Sequence, residues 1–370
     1  MRDELRNGDE RFAPAETLAA EPSADEPFWN RVGEQNYPLH IALFLATFLT
    51  TCVAGAYWVG KEISLDDLSN VASRLESGLP YSISLLFFLT SHEFGHFFAT
   101  MAHRVRATLP YYIPMPPIPF IFPIGTFGAM IRMKERIPTS QSLFDIGAGG
   151  PLAGFVVALG ILIYGFATLP PIEYVVQIHP EYELYYQLHG KIPVQSGALF
   201  AGKNLLYWIL EKIFDGPNLP PMTEMYHYPY LFAGWLGCFV TALNLLPVGQ
   251  LDGGHIVYAM FGRKVQARVA RIFLAFIVVL GLPTFAEWIA FILATFANQP
   301  FSGFPYPAWV RDVSWASWIV WALLLWRFVR LDHPPVLLER PLDPTRMTLG
   351  WISIAVFVLC FTPVPFGQLP

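Results

Sequence analysis

The chain has 370 residues, of which 54% are hydrophobic and only 14% are charged, with a formal net charge of −5. Soluble domains carry about 25% charged residues. This composition therefore cannot cover a globular surface with polar groups, and most of the surface must face lipid. It excludes a cytosolic enzyme, a disordered chain and a collagen-like fibre, and the absence of a basic stripe argues against a nucleic-acid partner.

Residues 1–37 are polar and acidic, with nine acidic residues and four arginines. They contain no apolar stretch, so we expect no signal peptide here. We expect a solvated, mobile tail.

Long apolar runs follow the tail and predict an all-α polytopic membrane protein, because about 20 apolar residues cross the hydrocarbon. An inside N-terminus places 17 of the 23 Lys and Arg residues inside and six outside, as the positive-inside rule favours. We count about seven transmembrane helices, near residues 38–60, 81–103, 143–169, 228–260, 271–295, 313–330 and 347–366.

The connection at 104–142 is unusual because it combines prolines with an apolar stretch. Six prolines forbid a helix there: Pro110, Pro114, Pro116, Pro117, Pro119 and Pro123. The following GTFGAMIRM at 125–133 predicts a short strand or hairpin. Non-helical backbone at membrane depth must be buried in protein or line a cavity, so we predict a short membrane-associated β-hairpin.

The middle of the second predicted span contains the pattern H-E-x-x-H, formed by His92, Glu93 and His96. Residues four apart share one face of a helix, so both imidazoles can bind one metal ion. Glu93 lies beside a ligand, where its carboxylate can take a proton from an attacking water. Ionisable groups in the middle of a lipid-spanning helix are costly and normally face a polar interior. The alternative is a buried hydrogen-bonded cluster without a metal.

A third ligand is required, because catalytic zinc sites typically have three protein ligands and one open position. The candidate is Asp252, in the sequence NLLPVGQLDGGH at 244–255. A lone carboxylate in an apolar span is expensive unless a cation neutralises it. Pro247 and Gly249 are expected to bend or loosen the helix just before it. His255 is a rival ligand or a hydrogen-bonding residue beside the site.

Together, HEFGH at 92–96 and NLLPVGQLDGGH at 244–255 resemble the two motifs of the site-2 protease family of intramembrane zinc metalloproteases. Two weaker segments agree with them. GTFGA at 125–129 looks like the family's membrane-associated hairpin, and FDIGAGGPLAGF at 144–155 looks like its third core helix.

This resemblance implies a zinc endopeptidase that hydrolyses peptide bonds within or near the transmembrane helices of membrane-protein substrates. It implies one zinc ion per chain on His92, His96 and Asp252, with Glu93 as the catalytic base. It also implies that Asn244 helps to hold the substrate backbone or the oxyanion.

The predicted outside segment 170–227 is too short for the PDZ domain that many bacterial members carry there, so the chain resembles the PDZ-less branch. We expect a multi-pass protein of a bacterial or archaeal cytoplasmic membrane, with its N-terminus inside. Its expected partners are the lipid bilayer and transmembrane substrates. The predicted divisions are the acidic tail at 1–37, a first transmembrane helix and outside loop at 38–80, the catalytic core at 81–262 and C-terminal transmembrane helices at 263–370.

Two other functions fit the same residues. A catalytically silent pseudoprotease would bind membrane helices without cutting them. A metal or solute transporter would use the same three ligands, but transporters usually show repeated halves, which this sequence lacks. Histidines near the ends of predicted spans are explained by interface positions without a metal; these are His40, His103 and His227.

Overall fold

The computed structural model of the chain describes residues 35–63, 70–118 and 122–368. Most of the predicted acidic tail and Pro119 lie outside these ranges. The described α-helices are α1 (Tyr37–Trp58), α2 (Val71–Ala102), α3 (Ser140–Ala167), α4 (Glu173–Ile178), α5 (Glu183–His189), α6 (Leu205–Ile213), α7 (Pro229–Asn244), α8 (Asp252–Phe261), α9 (Arg263–Phe296), α10 (Ala308–Val313), α11 (Ser317–Leu324) and α12 (Pro344–Cys360). The strands are β1 (Tyr111–Pro114), β2 (Thr126–Met130), β3 (Leu199–Ala201) and β4 (Phe366–Gln368).

Among the described helices, four stretches are long and apolar enough to cross a membrane: Tyr37–Trp58, Ser140–Ala167, Arg263–Phe296 and Ala308–Val329. The last of these contains α10, α11 and a π-helical turn at Leu325–Val329. The other three predicted spans fall on α2, on the pair α7 and α8, and on α12, which has 17 residues. By length and composition, the structure thus supports four crossings of the seven predicted.

The central core lies where α1, α2, α3 and α7 pack together around large aromatic side chains. Tyr81, Phe88, Phe144, Phe232 and Trp235 are almost completely buried. The rings of Tyr81 and Phe232 stack with centroids 5.5 Å apart, which joins α2 to α7. This packing holds the helix that carries H-E-x-x-H inside the bundle.

Helices α2 and α3 approach so closely that their backbones touch. A Cβ atom added to Gly95 would lie 2.3 Å from the carbonyl oxygen of Gly149. Small residues allow membrane helices to pack at such separations. The contact holds α3 beside the turn of α2 that contains His96.

The predicted span at 228–260 is not one helix. It divides into α7, which ends at Asn244, and α8, which begins at Asp252. Pro247 and Gly249 lie in the gap, where Gly249 adopts a positive φ of 52°. The loosening predicted from these two residues is therefore present, and it exposes a carboxylate at the N-terminus of a helix, where the helix dipole favours negative charge.

The apolar stretch after the prolines forms the expected hairpin. Strands β1 and β2 pair antiparallel, with Tyr111 opposite Met130 and Tyr112 opposite Ala129. The pairing continues beyond the strands, because the Thr108 N–H donates to the Arg132 carbonyl at 3.0 Å. The prediction of a short β-hairpin is confirmed.

The segment between α3 and α7 contains α4, α5, α6, β3 and two 3-10 turns, Pro180–Tyr182 and Met225–His227. Strand β3 pairs antiparallel with β4, with Phe200 opposite Gly367. The chain after α12 therefore returns to the segment that follows α3.

Candidate metal centre

The three predicted ligands converge although they come from two distant helices. The Nε2 atoms of His92 and His96 lie 3.1 Å apart on one face of α2. An Asp252 carboxylate oxygen lies 3.7 Å from His92 Nε2 and 3.4 Å from His96 Nε2. Both histidines are buried and Asp252 is partly buried.

The triangle formed by these atoms has the size that zinc requires. A point equidistant from three atoms at these separations lies about 2.0 Å from each, the usual length of zinc–imidazole and zinc–carboxylate bonds. The His96 Nδ1–H donates to the Ile146 carbonyl at 2.7 Å, which leaves the Nε2 lone pair directed at the site. Such an outer hydrogen bond typically orients a metal-binding histidine. The residues therefore fit a bound zinc ion.

A glycine of α3 makes room for the ligand nitrogen of His96. A Cβ atom added to Gly150 would lie 2.1 Å from His96 Nε2, far inside van der Waals contact. Gly154, one turn further along α3, lies beside His92, with its Cβ position 3.1 Å from His92 Nδ1. The segment at 144–155, which resembles the family's third core helix, thus lies against the site.

The predicted catalytic base and the predicted polar helper line the same small cavity, of about 250 Å³. Glu93 is 6% exposed and accepts a hydrogen bond from the backbone of Ile131, just after β2. The Nδ2 of Asn244 lies 3.3 Å from His92 Nε2. Helix α7 ends at Asn244, so the break between α7 and α8 places one site residue on each side.

His255, the rival ligand, lines the cavity but does not belong to the group of three converging atoms. Its Nδ1 forms a hydrogen bond with His333 Nε2 at 2.8 Å. His333 was not anticipated, because 78 residues separate it from His255 and no motif includes it. The structure therefore favours the hydrogen-bonding alternative for His255.

The segment that contains His333 also supports the break between α7 and α8. The Gly249 N–H donates to the Leu331 carbonyl at 3.2 Å. The Gln266 side-chain amide donates to that carbonyl at 3.1 Å, and the His333 N–H donates to the Gln266 side-chain oxygen at 3.2 Å. The position of α8, and with it Asp252, thus depends on residues near 331–333.

Comparisons with known proteins agree with this site. The model of peptidase family M50 matches residues 80–283. The protein named probable zinc metalloprotease EGY2, chloroplastic, of Oryza sativa subsp. indica is 28% identical over 261 residues, which is 70% of this chain and 42% of that protein. The protein named probable zinc metalloprotease EGY1, chloroplastic, of Arabidopsis thaliana is 30% identical over 230 residues, which is 61% of this chain and 38% of that protein.

The chain thus spans less than half the length of these relatives. No solved structure matches it significantly. The family and the names of the relatives support the zinc metalloprotease predicted from the two motifs. Because the match covers more than half of its residues, the chain belongs to peptidase family M50, the site-2 protease family that its motifs resemble.

Proposed function

We propose that this chain is an intramembrane zinc metalloprotease that hydrolyses peptide bonds within or near the transmembrane helices of its substrates. One observation carries the proposal: His92, His96 and Asp252 converge at zinc-binding separations beside Glu93. A zinc ion held there supplies Lewis-acid activation of water near neutral pH.

The remaining chemistry is assigned to side chains of the chain itself. Glu93 takes a proton from the attacking water and passes it to the leaving amine, as general acid–base catalysis requires. The Asn244 amide, which lines the same cavity, donates a hydrogen bond to the oxygen that gains negative charge.

Replacing Asn244 with Ala is expected to lower kcat by about 10²-fold with little change in KM, because the interaction strengthens mainly in the transition state. The measurement is steady-state cleavage of a fluorescent transmembrane reporter peptide in liposomes. Zinc content should stay at the wild-type level. An unchanged kcat, or a loss of zinc, would remove Asn244 from this role.

The hairpin is the proposed receiving surface for the substrate backbone. Helical carbonyls are hydrogen-bonded, so a substrate helix must unwind before attack. Strand β2 pairs with β1 along one edge, and in the described part of the chain its other edge has no strand partner. An unwound substrate strand added at that edge would lie beside Ile131, whose backbone contacts Glu93.

Metal removal distinguishes the protease from a silent pseudoprotease. Treatment with a zinc chelator is expected to abolish reporter cleavage, and added zinc is expected to restore it. A pseudoprotease would bind the reporter and leave it uncut in both conditions. Metal flux into sealed liposomes, with no cleavage, would instead favour a transporter.

The membrane arrangement is also part of the proposal. We propose seven crossings, with the N-terminus and the 104–142 connection inside and the segment between α3 and α7 outside. The pairing of β3 with β4 supports an outside position for residues after α12. A bacterial or archaeal cytoplasmic membrane stays a prediction, and the plant relatives are named as chloroplastic. Cysteine-accessibility labelling at positions 135 and 195 tests the orientation.

A further inference from the structure

Three more side chains with metal-binding chemistry meet in the segment between α3 and α7. They are His179, just after α4, and Glu224 and His227, at the 3-10 turn before α7. The Nε2 atoms of the two histidines lie 3.0 Å apart. A carboxylate oxygen of Glu224 lies 3.7 Å from His179 Nε2 and 3.5 Å from His227 Nε2.

This second triangle has almost the same dimensions as the first. A point equidistant from its three atoms again lies about 2.0 Å from each. The donor set is also the same, with two imidazole nitrogens and one carboxylate oxygen. Such a set suits zinc, which tolerates mixed nitrogen and oxygen ligands.

The outer hydrogen bonds direct both lone pairs inward. The His227 Nδ1–H donates to the Trp58 carbonyl at the end of α1. The His179 Nδ1–H donates to a carboxylate oxygen of Glu181 at 2.9 Å. In each neutral ring the Nε2 atom is then an acceptor, so neither ring can donate to the other. A cation between them satisfies both nitrogens.

Glu224 supplies an independent indication of a ligand. Its side chain is 2% exposed, and its oxygen Oε2, the one that faces the histidines, is buried without a hydrogen-bond partner. An unpaired buried carboxylate is costly, and a divalent cation would compensate its charge.

We propose that His179, Glu224 and His227 bind a second divalent transition-metal ion, with zinc as the expected occupant. Bound there, the ion would fasten α4 and the 3-10 turn before α7 to the end of α1, which His227 already contacts through Trp58. Its role would be to hold the segment between α3 and α7 against the helix bundle.

A chain of ring contacts connects the second site to α2 at a point well away from His92. The second site is linked to Trp58, whose ring lies 5.3 Å from Phe232, and Phe232 stacks on Tyr81. Tyr81 and His92 are 11 residues apart on α2, which is about 16 Å along the helix axis. Each site can therefore be emptied by a substitution that leaves the other intact.

Metal content of the full-length chain tests the proposal. Protein purified in detergent and dialysed against metal-free buffer is analysed by inductively coupled plasma mass spectrometry. The wild type is expected to hold about two zinc ions per chain, and His96→Ala and His179→Ala about one each. The double variant should hold none. About one ion in the wild type, lost in His96→Ala and retained in His179→Ala, would overturn the second site.

Two further variants guard against misfolding and non-specific effects. Glu224→Gln keeps the size of the side chain and removes its charge, so it should lose the second ion without disturbing packing. His189→Ala, on α5 in the same segment and outside the cluster, should keep both ions. In the His96→Ala background, added zinc should raise the melting temperature, and it should not do so after Glu224→Gln. Equal stabilisation in both would contradict the proposal.

Discussion

Replacing Glu93 with Gln is expected to abolish cleavage of a transmembrane reporter while zinc remains bound. Gln has nearly the same shape and still accepts the hydrogen bond from Ile131, so the site should keep its structure. It cannot take up the proton of the attacking water. General acid–base catalysis contributes about 10²–10⁴-fold to rates, so the loss of cleavage should be at least of that order.

The matched control is Glu135→Gln, which changes an exposed carboxylate that pairs with Arg106 outside the site. This variant should cleave at the wild-type rate. Zinc content, measured on the same preparations, separates loss of the base from loss of the metal. Full activity in Glu93→Gln would exclude Glu93 as the base. A loss of zinc would indicate that Glu93 contributes to metal binding instead.

Replacing Gly150 with Ala is expected to weaken zinc binding and lower activity, although Gly150 is not one of the proposed ligands. The added Cβ would lie 2.1 Å from His96 Nε2, so the imidazole or the whole of α3 must move. Displacing groups that orient metal ligands typically weakens metal binding about 10–100-fold. The measurement is zinc content after dialysis, together with reporter cleavage.

Gly160→Ala is the control on the same helix. A Cβ atom at Gly160 meets no heavy atom within 4 Å, and Ala is the better helix former at both positions. The control should therefore retain zinc and activity. If Gly150→Ala kept its zinc, the close approach of α3 to His96 would be irrelevant to the site.

Local rules account for the parts of the site that could be predicted from the sequence. The spacing of His92 and His96 places both imidazoles on one helical face, whatever surrounds the helix. Pro247 and Gly249 disfavour a continuous helix by their own backbone preferences, so the break before Asp252 was also foreseeable. The proximity of α8, which carries Asp252, to α2 was inferred from the need for a third ligand and from the family resemblance.

Contacts between distant segments were not predictable in the same way. Gly150 matters only because α3 lies close to α2, and His333 matters only because its segment folds back onto α8. The sequence assigned His227 to an interface position, and the structure instead places it in a cluster with His179 and Glu224. A local signal existed there: Glu224 and His227 are three residues apart, the spacing of Glu-x-x-His metal ligands in helical proteins.

The support of the helix break by residues 331–333 would matter in chimeric proteins. Leu331 and His333 lie beyond residues 80–283, where the family match ends, yet they hold the turn from which Asp252 extends. In a chimera that exchanges only the residues of the family match, the turn that carries Asp252 would come from one protein and residues 331–333 from another. A change near 331–333 would then shift the carboxylate of Asp252 relative to the two imidazoles and alter turnover without replacing a ligand.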